Sequence, residues 1–126
     1  MSAPARHDAI IIGSGQAGTP LATTLANGGF DTVLIEREHV GGCCINEGCT
    51  PTKTMIASGR VAYLAHRAAD YGVHTGEIKI DMTRIRQRKR DIVASFRNGI
   101  QASLENTPRL QLVFGEAQFT GPKTIE

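Results

Sequence analysis

The feature that most constrains the fold is a glycine-rich turn, residues 13–18, between a short apolar run and an amphipathic helix. Residues 8–12 end at this turn and predict a strand that is buried on both faces of a sheet. Residues 16–27 predict a helix, and residues 32–35 predict a second buried strand. A strand, a helix and a parallel strand in this order form a βαβ unit, so the chain is predicted to be an α/β protein with a parallel sheet.

The turn matches the pattern G-x-G-x-x-G, which is typical of dinucleotide-binding proteins. Its three glycines permit a tight turn, a close approach of the backbone to a pyrophosphate and close packing of the helix on the strand. The N-terminus of the helix also presents free N–H groups and the positive end of its dipole to the phosphates. The sequence therefore predicts a dinucleotide site formed by Gly13, Gly15, Gln16, Ala17 and Gly18.

An acidic residue supports this interpretation. Glu36 closes the second predicted strand, roughly 20 residues after the turn, where a carboxylate accepts hydrogen bonds from an adenosine ribose. The alternative is an ordinary turn with a solvated Glu36, which the full context disfavours. Arg37 raises the possibility of a 2′-phosphate, but Glu36 holds the strand-end position and favours a surface role for Arg37. Both residues are included in the predicted cofactor-binding set.

Composition excludes several classes of protein. The 126 residues are enough for one domain with a modest core, and 40% hydrophobic with 21% charged residues argues against a disordered or fibrous chain. The net charge of +2 is too small to indicate nucleic acid. The apolar run of residues 9–12 is too short for a signal peptide or a membrane span, so we expect a cytoplasmic protein that does not bind membranes.

The remainder of the chain alternates helix and strand. Helical spacing of apolar residues predicts helices over residues 49–69 and 81–104. Residues 110–114 predict a third strand, and the residues from 117 onward predict the first arm and turn of a β-hairpin whose second arm has just begun at Glu126. Because a strand that cannot complete its pairing is an unusual terminus, we expect a truncated or fragmentary chain.

The helix of residues 81–104 carries a dense run of basic side chains. On a helix they spread around much of the circumference and leave an apolar stripe intact, which favours a solvated face. No aromatic residues alternate with them, so nucleic-acid binding is the less favoured interpretation. The run consists of Arg84, Arg86, Arg88, Lys89 and Arg90.

Three cysteines lie within the seven positions from Cys43 to Cys49. In a cytoplasmic chain such a cluster indicates reactivity or metal binding more than a structural disulfide. Zinc sites usually have C-x-x-C pairs and a second ligand pair, whereas Cys44 and Cys49 are separated by four residues and the four histidines are scattered. No metal site is therefore predicted.

The position of the second cysteine suggests an activated thiol. Pro51 fits the first turn of a helix, so a helix is expected to begin close to Cys49. The helix dipole and a nearby Lys53 would both favour the thiolate of Cys49. The alternative is a pair of buried cysteines that act as small hydrophobic side chains, which the surrounding glycines and the neighbouring dinucleotide turn disfavour.

The pattern G-G-x-C-x-N-x-G-C-x-P of residues 41–51, after a G-x-G-x-x-G βαβ unit, resembles the class I pyridine nucleotide–disulfide oxidoreductases. This family includes dihydrolipoamide dehydrogenase, glutathione reductase and mercuric reductase. The resemblance extends over the whole chain, as the N-terminal part of an FAD-binding domain, and is most specific at the cysteines. The run of residues 48–54 is most similar to mercuric-reductase-like members.

The resemblance implies a role for each site residue. The glycines of the turn would hold the FAD pyrophosphate, Glu36 the adenosine ribose, and the backbone of Ala117 the adenine. Cys44 and Cys49 would form a redox-active disulfide, with Cys44 meeting the substrate and Cys49 against the flavin, and Lys53 would lie near the flavin ring. Gly42 and Cys43 complete the predicted cofactor-binding set.

One position departs from the family pattern. The residue before the first redox cysteine is usually threonine, whose hydroxyl can reach the cofactor, and here it is Cys43. A thiol is a poorer hydrogen-bond donor. Cys43 would weaken that contact, offer a competing disulfide partner or have no effect. The strain of a disulfide between adjacent cysteines favours no effect or a mild weakening.

For the whole protein, the resemblance implies an FAD-dependent enzyme. It would pass electrons between NAD(P)H, FAD and the Cys44–Cys49 pair to a disulfide, dithiol or mercuric-ion substrate, and act as a homodimer. It also implies a separate NAD(P)H domain and a dimerisation domain with a His–Glu acid–base pair, which no segment of this chain resembles. The alternative is a truncated, non-catalytic FAD-binding fragment. A monooxygenase-like flavoprotein with incidental cysteines is a more distant possibility.

Overall fold

The computed structural model describes residues 4–126, and a parallel sheet of three strands lies at its centre in the order β1-β2-β3. Both neighbouring pairs are parallel, so the carboxyl ends of all three strands lie at one edge of the sheet. The predicted α/β fold with a βαβ unit is confirmed. Its elements are β1 (Ala9–Ile12), α1 (Gly18–Asn27), β2 (Thr32–Glu36), α2 (Gly42–Asn46), α3 (Cys49–His66), a 3-10 turn (Ala68–Tyr71), α4 (Met82–Glu105), β3 (Leu110–Phe114), β4 (Phe119–Gly121) and β5 (Thr124–Ile125).

The hydrophobic core lies on one face of this sheet. Leu34, at the middle of β2, is fully buried, and Leu104 of α4 packs in the same cluster. Ala22 and Ala26 are four residues apart and lie on one face of α1. Their small side chains let α1 pack closely on the sheet, where they complete the cluster with Val40 and Leu110.

The prediction that the first strand is buried on both faces is wrong. Ile10 and Ile12 remain 37% and 46% exposed, whereas Ile11 packs against the core. Continuous apolar runs indicate strands covered on both sides. In the described part of the chain, the core that α1 and α4 build lies on the face of Ile11, so alternate residues of β1 face away from it.

The helices and the hairpin follow the predicted order with shifted ends. The helix predicted from residue 16 begins at Gly18, and the one predicted over 49–69 ends at His66 and continues as the 3-10 turn. Asp81 caps α4, since its side chain accepts a hydrogen bond from the N–H of Arg84 at 3.0 Å. Strands β4 and β5 are antiparallel, as the predicted hairpin requires.

The apolar face predicted for residues 49–69 is largely exposed in the described structure. Ile56, Val61 and Leu64 are each more than half exposed. Helical periodicity is therefore correct for α3, but it did not indicate which side chains are buried. Among residues 4–126, no helix combines the length and the apolar character that crossing a membrane requires.

Helix α2 was not predicted from the sequence. Gly41 and Gly42 precede and open it with φ values of 96° and 62°, which few residues other than glycine adopt. These glycines make the segment resemble a loop in sequence. The five-residue helix is stabilised by tertiary contacts, with Ile45 buried beneath it, because so short a helix is not stable alone.

Candidate functional site

The glycine turn leaves β1 at the carboxyl edge of the sheet. Gly13 adopts φ 91°, and its N–H donates to the carbonyl of Ile35 at 2.7 Å. A Cβ on Gly18 would collide with the carbonyl oxygen of Gly13. Gly18 is therefore needed for the close approach of α1 to the turn, as the motif predicts.

Gly15 has a different function in the turn. A Cβ built on Gly15 meets no atom within 4 Å, so the space in front of it is open. The backbone N–H groups of residues 15–18 donate to no other group in the described part of the chain. Free N–H groups at a helix N-terminus form an anion site. The open space and the free donors together fit a pyrophosphate.

An open cavity of about 400 Å³ lies beside the turn, at the carboxyl ends of the three strands. This is the usual ligand position in parallel α/β sheets. The cavity is lined by Ile12, Gly13, Ser14, Gly15, Ile35, Glu36, Arg37, Gly42, Gly115, Glu116 and Ala117. Of the predicted cofactor-binding residues, Gly13, Gly15, Glu36, Arg37, Gly42 and Ala117 are thus brought together.

The other predicted site residues lie elsewhere. Gln16 and Ala17 are exposed on the turn and are not among the residues that line this cavity. Cys43 lines an adjoining cavity that shares Glu36, Arg37 and Gly42 with the first one. Cys44, Cys49 and Lys53 form a separate group in helices α2 and α3.

Glu36 is only 9% exposed and binds back to the turn. Its Oε2 accepts the Ser14 Oγ–H at 2.6 Å and the Ser14 N–H at 3.0 Å, and its Oε1 accepts the Glu38 N–H at 3.0 Å. Burial acts to raise the pKa of Glu36, but these hydrogen bonds outweigh it and lower the pKa below its usual range. The carboxylate is therefore ionised near neutral pH, and Oε1 retains acceptor capacity for a ribose hydroxyl.

Ser14 is a site residue that the sequence reasoning missed. Its side chain is fully buried. Besides its bonds to Glu36, its carbonyl oxygen accepts the N–H of Gly41 at 3.1 Å and the Oγ–H of Thr19 at 2.7 Å. Position 14 is an unspecified x in the motif. The only signal for its role in the sequence is that its side chain is a hydroxyl, which can donate a hydrogen bond to the carboxylate of Glu36.

The cysteine segment of residues 41–51 folds into α2 and the first residues of α3, which are joined by a tight reversal. Cys43 and Cys44 lie in α2. Cys49 is the first residue of α3, in agreement with the helix that was predicted to begin close to it. The carbonyl oxygen of Cys43 accepts the N–H groups of Glu47 at 2.8 Å and Gly48 at 2.6 Å. This reversal returns the chain on itself and makes Cys44 and Cys49 neighbours, although all three cysteines are free thiols in this structure.

The two thiols interact. Hydrogen bonding to Cys49 is the largest of the effects that raise the pKa of Cys44, with desolvation and the negative charge of Cys49 acting in the same direction. A backbone N–H of Cys49 and the positive charge of Lys53 act against them. Cys44 therefore loses its proton less readily than a simple thiol, and Lys53 lies close enough for its charge to act on Cys44.

Helix α2 also contacts the glycine turn. A Cβ on Gly42 would lie 2.7 Å from the Cα of Gly15, which is closer than van der Waals packing allows. Only glycine at position 42 permits this approach. The helix that carries Cys43 and Cys44 therefore starts directly against the predicted phosphate-binding turn. In residues 4–126, no three His, Cys, Asp or Glu side chains group in a way that could hold a metal ion.

The chain is similar in sequence to known proteins. A family profile described as "Pyridine nucleotide-disulphide oxidoreductase" matches residues 7–126. Mercuric reductase of Bacillus cereus is 34% identical over 120 residues, which cover 95% of this chain and 19% of that protein. Dihydrolipoyl dehydrogenase of Vibrio cholerae is 34% identical over 127 residues, which cover 100% of this chain and 26% of that protein.

Solved structures agree with these relatives. The HOCl-induced flavoprotein disulfide reductase RclA from Escherichia coli superposes with a TM-score of 0.71 at 36% identity, covering 89% of this chain and 22% of RclA. Its copper(II) complex gives a TM-score of 0.76 at 34% identity, covering 94% of this chain and 24% of that one. The chain thus spans between 19% and 26% of the length of these relatives.

Proposed function

The chain belongs to the pyridine nucleotide-disulphide oxidoreductase family, and we propose that it is the N-terminal part of the FAD-binding domain of a disulfide oxidoreductase. The whole protein would pass electrons between NAD(P)H, FAD and the Cys44–Cys49 pair. Its substrate would be a small disulfide, a dithiol or the mercuric ion, which are the classes that the names of the relatives suggest. We also propose that the whole protein is a cytoplasmic homodimer.

The observation that carries this proposal is the contact between Gly42 and Gly15. It joins the start of the cysteine-bearing helix to the turn whose free N–H groups suit a pyrophosphate. A cofactor bound at a dinucleotide site that adjoins a redox pair can exchange electrons with that pair over a short distance. Neither half of the site alone would distinguish an oxidoreductase from a simple nucleotide-binding domain.

The residues present fit FAD. The turn of residues 13–18 would bind the pyrophosphate, Oε1 of Glu36 the ribose, and the backbone of Ala117 the adenine. Gln16 and Arg37 would lie at the edge of this site, and Cys43 beside it. When bound, FAD would supply two-electron transfer between NAD(P)H and the cysteine pair.

The chemistry of the cysteines is thiol–disulfide exchange. In the dithiol state, Cys44 loses its proton and its thiolate attacks a disulfide substrate, and the first substrate sulfur leaves as a thiol. The Cys49 thiolate then attacks the Cys44 sulfur, which releases the second substrate sulfur and forms the Cys44–Cys49 disulfide. Two electrons and two protons thus pass to the substrate, and the reverse sequence oxidises a dithiol. Lys53 would favour the thiolate forms by its charge.

The test is to purify the full-length protein and follow its flavin absorbance and NAD(P)H consumption. We expect non-covalently bound FAD and NAD(P)H-dependent reduction of a small disulfide or mercuric ion, or dihydrolipoamide oxidation by NAD⁺. Variants Cys44→Ser and Cys49→Ser should both lose this activity. A flavin-free protein, or one whose Cys44→Ser variant turns over normally, would refute the proposal.

A further inference from the structure

Asn46 closes the short helix that carries Cys44. It is the last residue of α2, two positions after Cys44 and three before Cys49. Its side-chain Nδ2 donates to the carbonyl oxygens of Val40 at 3.0 Å and Gly42 at 2.9 Å. Both amide hydrogens are therefore used to hold the backbone at the start of α2.

The side-chain oxygen of Asn46 accepts a hydrogen bond from a helix that is distant in sequence. Nε of Arg97, in α4, donates to Oδ1 of Asn46 at 2.8 Å, across 51 positions of sequence. Arg97 is half-buried, unlike most of the other arginines of α4. Because the oxygen accepts from a cation and the nitrogen donates to two carbonyls, the amide has one satisfactory orientation. A charged donor also makes this bond stronger than a neutral one.

Helix α4 holds the second cysteine-bearing helix as well. Nη1 of Arg88 donates to the carbonyl oxygen of Thr54 at 3.2 Å. Thr54 is the buried residue of α3, five positions after Cys49. One long helix thus contacts both helices that carry the proposed redox pair, α2 through Arg97 and α3 through Arg88.

We infer that Arg97 is a positioning residue that, through Asn46, holds Cys44 in reach of Cys49. The inference rests on the proposed function of the pair. A disulfide forms only within a narrow range of Cβ separations and dihedral angles. Since α2 has five residues and is opened by two left-handed glycines, it lacks the internal stability to set that geometry. The Arg97–Asn46 bond supplies the constraint from outside the motif.

The consequence is a change in the redox equilibrium of the pair. Releasing α2 lowers the effective concentration of Cys44 at Cys49, so the disulfide becomes easier to reduce. A charge-assisted hydrogen bond predicts a fall of about tenfold in the equilibrium constant for disulfide formation. For a two-electron couple, this corresponds to a midpoint potential about 30 mV less negative.

The experiment measures the Cys44–Cys49 equilibrium in the full-length protein against glutathione redox buffers, with thiol trapping and mass spectrometry. Arg97→Met removes the donor and keeps much of the volume, and Arg97→Lys restores one cationic donor. Asn46→Ala removes the acceptor together with the two bonds that its Nδ2 donates to Val40 and Gly42. Arg90→Met is the matched control, because Arg90 is exposed on the same helix and its side chain makes no hydrogen bond within residues 4–126. Circular dichroism and thermal melting show that each variant is folded.

We expect Arg97→Met to lower the constant. Asn46→Ala also removes the bonds to Val40 and Gly42, so it should lower the constant by at least as much, with no further fall when Arg97→Met is added to it. Arg97→Lys should lie between Arg97→Met and the natural protein, and Arg90→Met should match the natural protein. Three results would overturn this inference and leave the proposed function intact. They are an unchanged constant in Arg97→Met, a fall in Arg90→Met equal to that in Arg97→Met, and strictly additive effects of Arg97→Met and Asn46→Ala. If Arg97→Met is unfolded, the comparison of Arg97→Lys and Asn46→Ala with the natural protein decides it. If the natural protein forms no Cys44–Cys49 disulfide at any potential, the proposed function fails and the inference with it.

Discussion

Ser14 joins three segments of the candidate site. Its hydroxyl donates to Glu36 at 2.6 Å, its carbonyl oxygen accepts from Gly41 at 3.1 Å, and it lies inside the glycine turn. The glycine motif and its acidic residue therefore do not act independently. Ser14 orients the carboxylate that is proposed to bind the ribose. Through Gly41 it also holds the segment that leads into α2.

Replacing Ser14 with alanine should lower stability by about 1–3 kcal/mol at neutral pH, because an ionised and buried carboxylate loses a donor. The pKa of Glu36 lies below its usual range in the folded state. Its contribution to stability is thus present above the unfolded-state pKa and is lost as the pH falls through the folded-state pKa. In Ser14→Ala the pKa of Glu36 should rise.

The difference between Ser14→Ala and the natural protein should consequently be largest near pH 7 and smaller at pH 3. Urea unfolding at the two pH values measures it. Ser95→Ala is the control, because Ser95 is exposed on α4, and it should change stability by less than about 0.5 kcal/mol. A Ser14→Ala penalty that grows in acid would contradict the assigned role of the hydrogen bond.

Gly15 and Gly18 provide a second test at the residue scale. A Cβ at position 15 has open space, whereas one at position 18 collides with the carbonyl oxygen of Gly13. We expect Gly15→Val to fold but to lose most of its flavin, since the side chain would occupy the pyrophosphate position. We expect Gly18→Val to be destabilised or unfolded.

Absorbance of the purified full-length variants gives the ratio of flavin to protein, and thermal melting gives their stability. Gly59→Ala is a suitable control, because Gly59 lies within α3 and a Cβ there also meets nothing within 4 Å. Full flavin occupancy in a folded Gly15→Val protein would show that the cofactor is not bound at this turn.

At the scale of secondary structure, α2 and α3 each carry one cysteine of the proposed redox pair, in a different setting. Cys44 lies in α2 and has a raised pKa, and Cys49 is the first residue of α3. The assignment of Cys44 to the substrate and Cys49 to the flavin stays a prediction. It has distinct consequences for the single variants.

In Cys44→Ser the disulfide cannot form and Cys49 remains, so a long-wavelength absorbance band from its thiolate beside oxidised FAD should appear without a reductant. In Cys49→Ser this band should be absent, and Cys44 should stay open to alkylation. Because a thiolate is the nucleophile, the raised pKa of Cys44 should move the onset of its alkylation to higher pH than for a simple thiol. Replacing Cys49 with alanine should reverse that shift.

Cys43→Ser is the control in this series and should retain most activity. Absorbance spectra, turnover rates and iodoacetamide labelling of the full-length variants distinguish the outcomes. An inactive Cys43→Ser protein together with an active Cys44→Ser protein would show that the register of the motif assignment is wrong.

At the scale of the whole molecule, residues 1–126 contain one G-x-G-x-x-G pattern, and so one predicted dinucleotide site. Electron transfer from NAD(P)H to FAD requires a site for each dinucleotide. The cavity beside the turn is open, so FAD would be only partly enclosed by this segment. We therefore expect residues 1–126, produced alone, to bind FAD weakly and to show no NAD(P)H-dependent disulfide reduction.

Steady-state NAD(P)H consumption by this segment, compared with the full-length protein at equal flavin concentration, measures the difference. Sustained turnover by the segment alone would contradict the division of labour that we propose. Exposed apolar side chains such as Ile12, Val61 and Tyr71 also lead us to expect low solubility of the isolated segment.

The sequence by itself determined the βαβ unit, the glycine turn with its acidic residue, the start of α3 at Cys49 and the order of the later elements. Each of these depends on residues close together in the chain: glycine spacing, the period of apolar side chains, or a proline in a first helical turn. These patterns depend on interactions between residues that are close in sequence. They can therefore be recognised without a structure.

Only the tertiary structure decided the features that join these elements. Helix α2 forms because Ile45 is buried and Asn46 is held by Arg97, 51 positions away. The hydrogen bond from Ser14 to Glu36 spans 22 positions, and the exposure of one face of β1 depends on where the helices pack. Burial and long-range hydrogen bonds depend on which surfaces pack together when the chain folds. No local pattern of residues specifies this packing.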